Sequence, residues 1–166
     1  MGDHPLAFEK LSEMVREIKV AMLTTIDSEG LFRSRPMMAQ EIDLDGTLWF
    51  FSARESGKVH SIEDQPHINL AYSSPDTSRY VSVSGMAEVV DDPARKKELW
   101  SPMYRAWFPR GVEDPDLVLV KVRVEAAEYW DASSSRLVTL IGAAKAALTG
   151  RRPPHDEALH AKIELH

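Results

Sequence analysis

Apolar positions near the N-terminus recur at helical spacing. Phe8, Leu11, Val15 and Ile18 fall on one face, with Met14 beside the stripe, while Glu9, Lys10, Glu13, Arg16 and Glu17 take the other. This predicts an amphipathic helix with one buried side. At Val20 the period shortens. Val20–Ile26 is short, apolar and partly β-branched, which reads as a strand. Asp27-Ser28-Glu29-Gly30 is a turn, with Gly30 suited to positive φ. Leu31–Ile42 reads as the returning strand. Pro36 lies inside it, so the missing N–H must face an edge, a bulge or a ligand. Asp43–Gly46 is a second turn, and Thr47–Ser52 a nearly all-apolar third strand.

The strand pattern breaks at Ala53. Glu55-Ser56-Gly57-Lys58 opens a short helix with Val59 and Ile62 on its buried side, ended by Gln65-Pro66. Ile68–Ser73 is a fourth strand and Ser74-Pro75-Asp76 a turn. Arg79–Val90 is a long fifth strand, with Val81, Val83 and Gly85 on one face. Asp92 then acts as N-cap with Pro93 at the first helical position. That helix runs to about Trp100, and a second runs from Ser101-Pro102 through Trp107. Asp116–Trp130 alternates as a sixth strand. Arg136–Leu148 has the spacing of a final helix, ended by Gly150. The pattern predicts one α+β domain over residues 1–150, a small six-stranded antiparallel barrel with helices outside, and a C-terminal tail over 151–166.

Composition narrows the chemistry. The chain of 166 residues contains no cysteine, which excludes a disulfide framework, a zinc ribbon, an iron–sulfur centre and a thiol nucleophile. Its formal net charge of −6 gives no general attraction to nucleic acid or an anionic membrane. No apolar run approaches a membrane span, and the N-terminus lacks a signal pattern, so a cytoplasmic location is expected. The six histidines have neither the spacing nor the acidic company of a zinc motif, so no metal is expected. No catalytic residue stands out.

Two segments carry the remaining interest. Arg33 and Arg35 point the same way from one strand, and two like charges on one face need solvent or an anion. Pro36-Met37-Met38 follows as an apolar run, suited to a core strand or to one wall of a planar site. Ser52-Ala53-Arg54-Glu55-Ser56-Gly57-Lys58 sets two hydroxyls, a glycine and a lysine where a strand becomes a helix. The positive end of that helix favours phosphate, and Lys58 adds a full charge. An ordinary N-cap followed by a solvated lysine would look the same.

The order of these segments resembles the flavin-binding split-barrel proteins related to pyridoxamine 5′-phosphate oxidase, in the short branch called general stress protein 26. The markers are Arg35-Pro36-Met37-Met38, Phe50-Phe51-Ser52 with Ser56-Gly57-Lys58, Gln65 to Leu70, Val83 to Glu88, and Glu128-Tyr129-Trp130. The resemblance implies a six-stranded split barrel that forms a homodimer, with FMN in a groove between subunits. It implies that Arg35, Ser56 and Lys58 hold the phosphate. Met37 and Met38 would line the flavin ring, Phe51 and Ser52 would lie beside the cofactor, and Trp130 would reach it from the partner subunit. Pro36 and Gly57 fall within the same cofactor-binding runs.

Departures from the oxidase pattern matter. A second basic residue beside the lysine is replaced by Gly57, a strand-end lysine by Gln40 and a glutamine by Tyr80. The lost charge admits FAD as an alternative to FMN. The substrate-gripping Arg-Leu-His-Asp-Arg run is here Arg136-Leu137-Val138-Thr139-Leu140, which argues against pyridoxamine 5′-phosphate oxidation itself. The expectation is a flavin-dependent oxidoreductase acting on a small molecule. The alternatives are a flavin-binding stress protein without turnover, or a split barrel holding haem or a deazaflavin. For haem, His60 and His67 are the core-region ligand candidates.

Overall fold

The computed structural model describes residues 4–38, 43, 45–132 and 160–164. Chain order is α1 (His4–Ile18), β1 (Val20–Ile26), β2 (Phe32–Met38), β3 (Thr47–Ala53), α2 (Gly57–Asp64), β4 (His67–Ser74), β5 (Arg79–Val90), α3 (Pro93–Leu99), β6 (Leu117–Asp131) and β7 (His160–Glu164). Short 3-10 turns lie at Pro75–Thr77 and Pro102–Ala106. The second segment, expected as a helix from Ser101-Pro102 through Trp107, is a 3-10 turn of five residues. Asp92 caps α3 as its type predicts, accepting the Arg95 N–H at 3.1 Å.

The strands form one antiparallel sheet in the order β2-β1-β4-β5-β6-β3. Its two ends, β2 and β3, come back into contact, and among the described residues no ladder joins them. This is a split barrel. Pro36 is tolerated because β2 is an end of the path and pairs on one side, with Met22 opposite. The sheet wraps a core that α1 closes, where Leu11, Met14 and Val15 pack with Ala21, Leu23, Leu70 and Tyr72.

Strand β3 is buried on both faces, which is why it reads as a continuous apolar run. Leu48 and Phe50 belong to the main core. Trp49 and Phe51 face a second cluster with Tyr104 and Phe108 of the segment between α3 and β6 and with Leu117 and Leu119 of β6.

Strand β6 does not keep one alternation throughout. Ser84 pairs with Ala126 but Gly85 pairs with Val124, so Glu125 is an extra residue. Before the bulge Val118, Val120, Val122 and Val124 face inward; after it Ala127, Tyr129 and Asp131 do. The seventh strand was not anticipated. β7 lies in the segment read as a tail, pairs with β6 from Ala126 to Trp130, and buries Ile163 in the core. The expected helix at Arg136–Leu148 and residues 39–42 of the long second strand lie outside the described residues.

Candidate functional site

Strand β2 carries the first half of the site. Arg33, Arg35 and Met37 sit opposite Thr25, Leu23 and Ala21, so all three face the inner side of β1. The two arginines differ in their partners. Asp27 in the β1–β2 turn accepts the Glu29 and Leu31 N–H groups through one oxygen and the Arg33 Nε through the other, at 2.9 Å. That pairing raises the Arg33 pKa and lowers that of Asp27. Arg35 instead donates to the buried Thr25 hydroxyl at 2.7 Å. Burial first, and then the nearby Arg33 charge, lower its pKa.

The second half is the junction of β3 and α2. Ser56 is the N-cap of α2, with extended backbone, yet its hydroxyl makes no capping bond. It faces the Ser52 hydroxyl at 3.2 Å. Gly57 and Lys58 are the first two helical residues, whose N–H groups have no acceptor within a helix. The Lys58 ammonium is half-buried. Burial lowers its pKa, and the Arg35 charge lowers it further. Among the described residues neither Arg35 nor Lys58 has a carboxylate in ion-pair range. Two partly desolvated cations, two hydroxyls and a helix N-terminus thus converge without an anion, an arrangement that a phosphate completes.

Ser52 and Lys58 of this group line a cavity of about 660 Å³. Pro36, Met37, Met38, Phe51, Ser52 and Lys58 all line it, so most of the residues singled out from the sequence meet in one place. Arg35, Ser56 and Gly57 are not among its lining residues. A further part of the lining was not foreseen. Tyr104, Trp107, Phe108, Pro109, Arg110 and Asp116 contribute it. The signal was present as three aromatic residues packed between Pro102 and Pro109, more than a solvated loop needs. Their grouping with Phe51 depends on a non-local packing: Tyr104 lies 4.8 Å from the Phe51 ring and both touch Trp100.

Trp130 does not line this cavity. It stands exposed on β6, beside Tyr80 of β5 and His160 of β7. His60 and His67 are exposed and also stand outside the cavity lining. Gln40 and Arg136–Leu140 lie outside the described residues. Among the described residues no helix is long and apolar enough to cross a membrane.

Residues 7–154 match the model of a protein family described as pyridoxamine 5′-phosphate oxidase like. Protein bli-3 of Neurospora crassa is 29% identical over 151 residues, spanning 85% of this chain and 72% of that one. A solved structure from Jannaschia sp. CCS1, assigned to general stress protein 26, is 25% identical with a TM-score of 0.76, covering 97% of this chain and 99% of that one. The general stress FMN/FAD binding protein of Xanthomonas citri is 30% identical with a TM-score of 0.64, over 74% and 87% of the two chains.

Proposed function

We propose, from the premise that this chain belongs to the pyridoxamine 5′-phosphate oxidase like family, that it is an FMN-binding redox protein working as a homodimer. The observation that carries the reading is Lys58 at the N-terminus of α2, which lines the cavity and stands near the Arg35 charge, with no carboxylate in ion-pair range of either cation among the described residues. Arg35 and Lys58 bind the phosphate, with the Ser52 and Ser56 hydroxyls and the first N–H groups of α2 completing its shell. Met37, Met38 and Phe51 offer an apolar wall, in a cavity whose volume of about 660 Å³ is ordinary for a small-molecule site. When bound, the flavin supplies the electron-accepting ring that a cysteine-free chain lacks. The similarity to an FMN/FAD binding protein supports the same reading.

The homodimer rests on the outer face of the sheet. Met38 pairs with Val20, Ser73 with Tyr80, and Tyr80 with Trp130. These side chains form a row leading from the cavity edge to Trp130, roughly 14 Å from Val20 at three inter-strand spacings. Polar groups on this face bond among themselves: Thr24 to Ser34 at 2.7 Å, and Asn69 to Ser82 at 3.0 Å. A face with its polar groups already satisfied can be covered cheaply. A two-fold copy packed on it carries its own Trp130 toward this cavity.

The test is a fluorescence-quenching titration with FMN and with FAD. Binding in the micromolar range or tighter is expected. Arg35→Ala and Lys58→Ala should each weaken FMN by about 1–3 kcal/mol, the scale for hydrogen bonds to charged groups. If neither flavin binds at micromolar concentration, the reading fails. Anaerobic mixing of the loaded protein with NADH or NADPH then separates a reductase, which bleaches the flavin, from a protein that only binds it.

A further inference from the structure

The cavity has one wall that suits a flavin phosphate and another that does not. We propose that the second wall, built on Trp107 and Phe108, is a stacking site for a second ligand: a flat, uncharged aromatic ring held beside the flavin. This inference rests on the flavin reading above and adds the chemistry of its partner molecule.

The wall is rigid. Trp107 and Phe108 both donate their N–H groups to the Tyr104 carbonyl, Gly111 donates to Phe108, and Asp114 to Gly111. Tyr104 packs on Phe51. Phe108 is 9% exposed and belongs to the second core cluster. Trp107, one residue earlier on the same fixed backbone, is 61% exposed and lines the cavity. A single exposed aromatic residue on a surface needs no explanation. An indole fixed at the edge of a cavity already lined by Met and Phe side chains is different, because the neighbouring apolar surface extends what a planar ligand would cover.

Charge selects the kind of ring. Among the described residues Arg110 is the one cation that this segment gives to the cavity lining, and Asp114 holds its guanidinium with both carboxylate oxygens, at 3.1 and 3.2 Å. Asp114 also accepts the Asp116 N–H at 2.9 Å, so the clamp is fixed at both ends. Asp116 adds a second carboxylate to the cavity lining. Lys58, the other cation of the lining, is taken up by the flavin phosphate on the reading above, so Asp114 and Asp116 against Arg110 leave a negative balance for a second ligand. A ring carrying phosphate, sulfonate or carboxylate is repelled there, whereas an uncharged one loses little on desolvation.

The experiment uses the full chain loaded with FMN, its flavin content read separately by absorbance. 2-Naphthol and naphthalene-2-sulfonate, rings of the same size that differ in charge, are titrated by calorimetry. The naphthol is expected to bind and the sulfonate to bind at least about tenfold more weakly. Trp107→Ala should weaken naphthol by about tenfold, and Trp107→Phe should restore most of it, as loss and return of an aromatic stack require. Equal affinity for the two rings overturns the proposal, as does a Trp107→Ala variant that binds naphthol like the parent. A Trp107→Ala variant that turns monomeric assigns the indole to the subunit contact and overturns it as well. Protein that takes up no FMN fails at the earlier step and removes the flavin reading itself.

Discussion

Lys58 shows how one residue sets stability against binding. Its ammonium is partly desolvated and shares its surroundings with Arg35, so its pKa in the folded protein lies below the usual 10.5. An unfolded lysine keeps the ordinary value. Between the two the unfolded chain holds more protons, so the flavin-free protein gains stability as pH rises through that window. On the proposed reading FMN affinity should move the other way, because the neutral amine no longer attracts phosphate. Lys58→Met should therefore raise the melting temperature of the flavin-free protein at neutral pH and flatten its alkaline rise. The same change should weaken FMN by about 1–3 kcal/mol. Thermal unfolding across a pH series, with and without FMN, measures both; a lower melting temperature would show that the cation is not under strain. The sequence presents Arg33 and Arg35 as equivalent. Only the Asp27 turn separates them, since it satisfies Arg33, while Arg35 has no carboxylate in ion-pair range among the described residues. That distinction is geometric, and no pattern of residue types contains it.

Among elements, the strand register was legible and its interruption was not. β1 and β5 have the bounds their alternation predicts, because a period of two is set by which side chains reach the core. The bulge at Glu125 inverts that alternation within β6, and a reading that extends one parity along the strand misplaces every residue after it. The inversion depends on Gly85. A Cβ there would stand 2.3 Å from the Arg123 carbonyl oxygen, a contact that backbone must move to relieve. Gly85→Ala should destabilise the fold by roughly 1–3 kcal/mol, the usual cost of overpacking. It should also disturb Trp130, which lies beyond the bulge on the same strand. Denaturant unfolding reads the first effect and near-ultraviolet circular dichroism the second. A fully stable Gly85→Ala protein would show that the two strands separate without cost. β7 was missed for another reason. A strand of five residues is too short to show a periodicity of its own, and its partner strand lies far back in the chain.

At the scale of the whole molecule, the outer face of the sheet decides whether the cavity is a complete site. Within one chain Trp130 and the cavity share a surface but do not meet. A second copy that joins them must cover β4, the middle strand of the five that build this face. Ala71 is exposed there, opposite Met22 on one side and Ser82 on the other. An arginine at that position meets only solvent in an isolated subunit, so folding should survive. In a two-fold dimer each copy would force a long charged side chain into a close sheet-to-sheet contact, twice by symmetry. Ala71→Arg is thus expected to sediment as a monomer, to keep its far-ultraviolet circular dichroism, and to hold FMN much less tightly than the parent. The three readouts belong together. A variant that stays dimeric places the interface elsewhere. One that becomes monomeric yet binds FMN with full affinity shows that Arg35, Lys58 and the cavity wall suffice, and that Trp130 of a second copy takes no part in holding the cofactor.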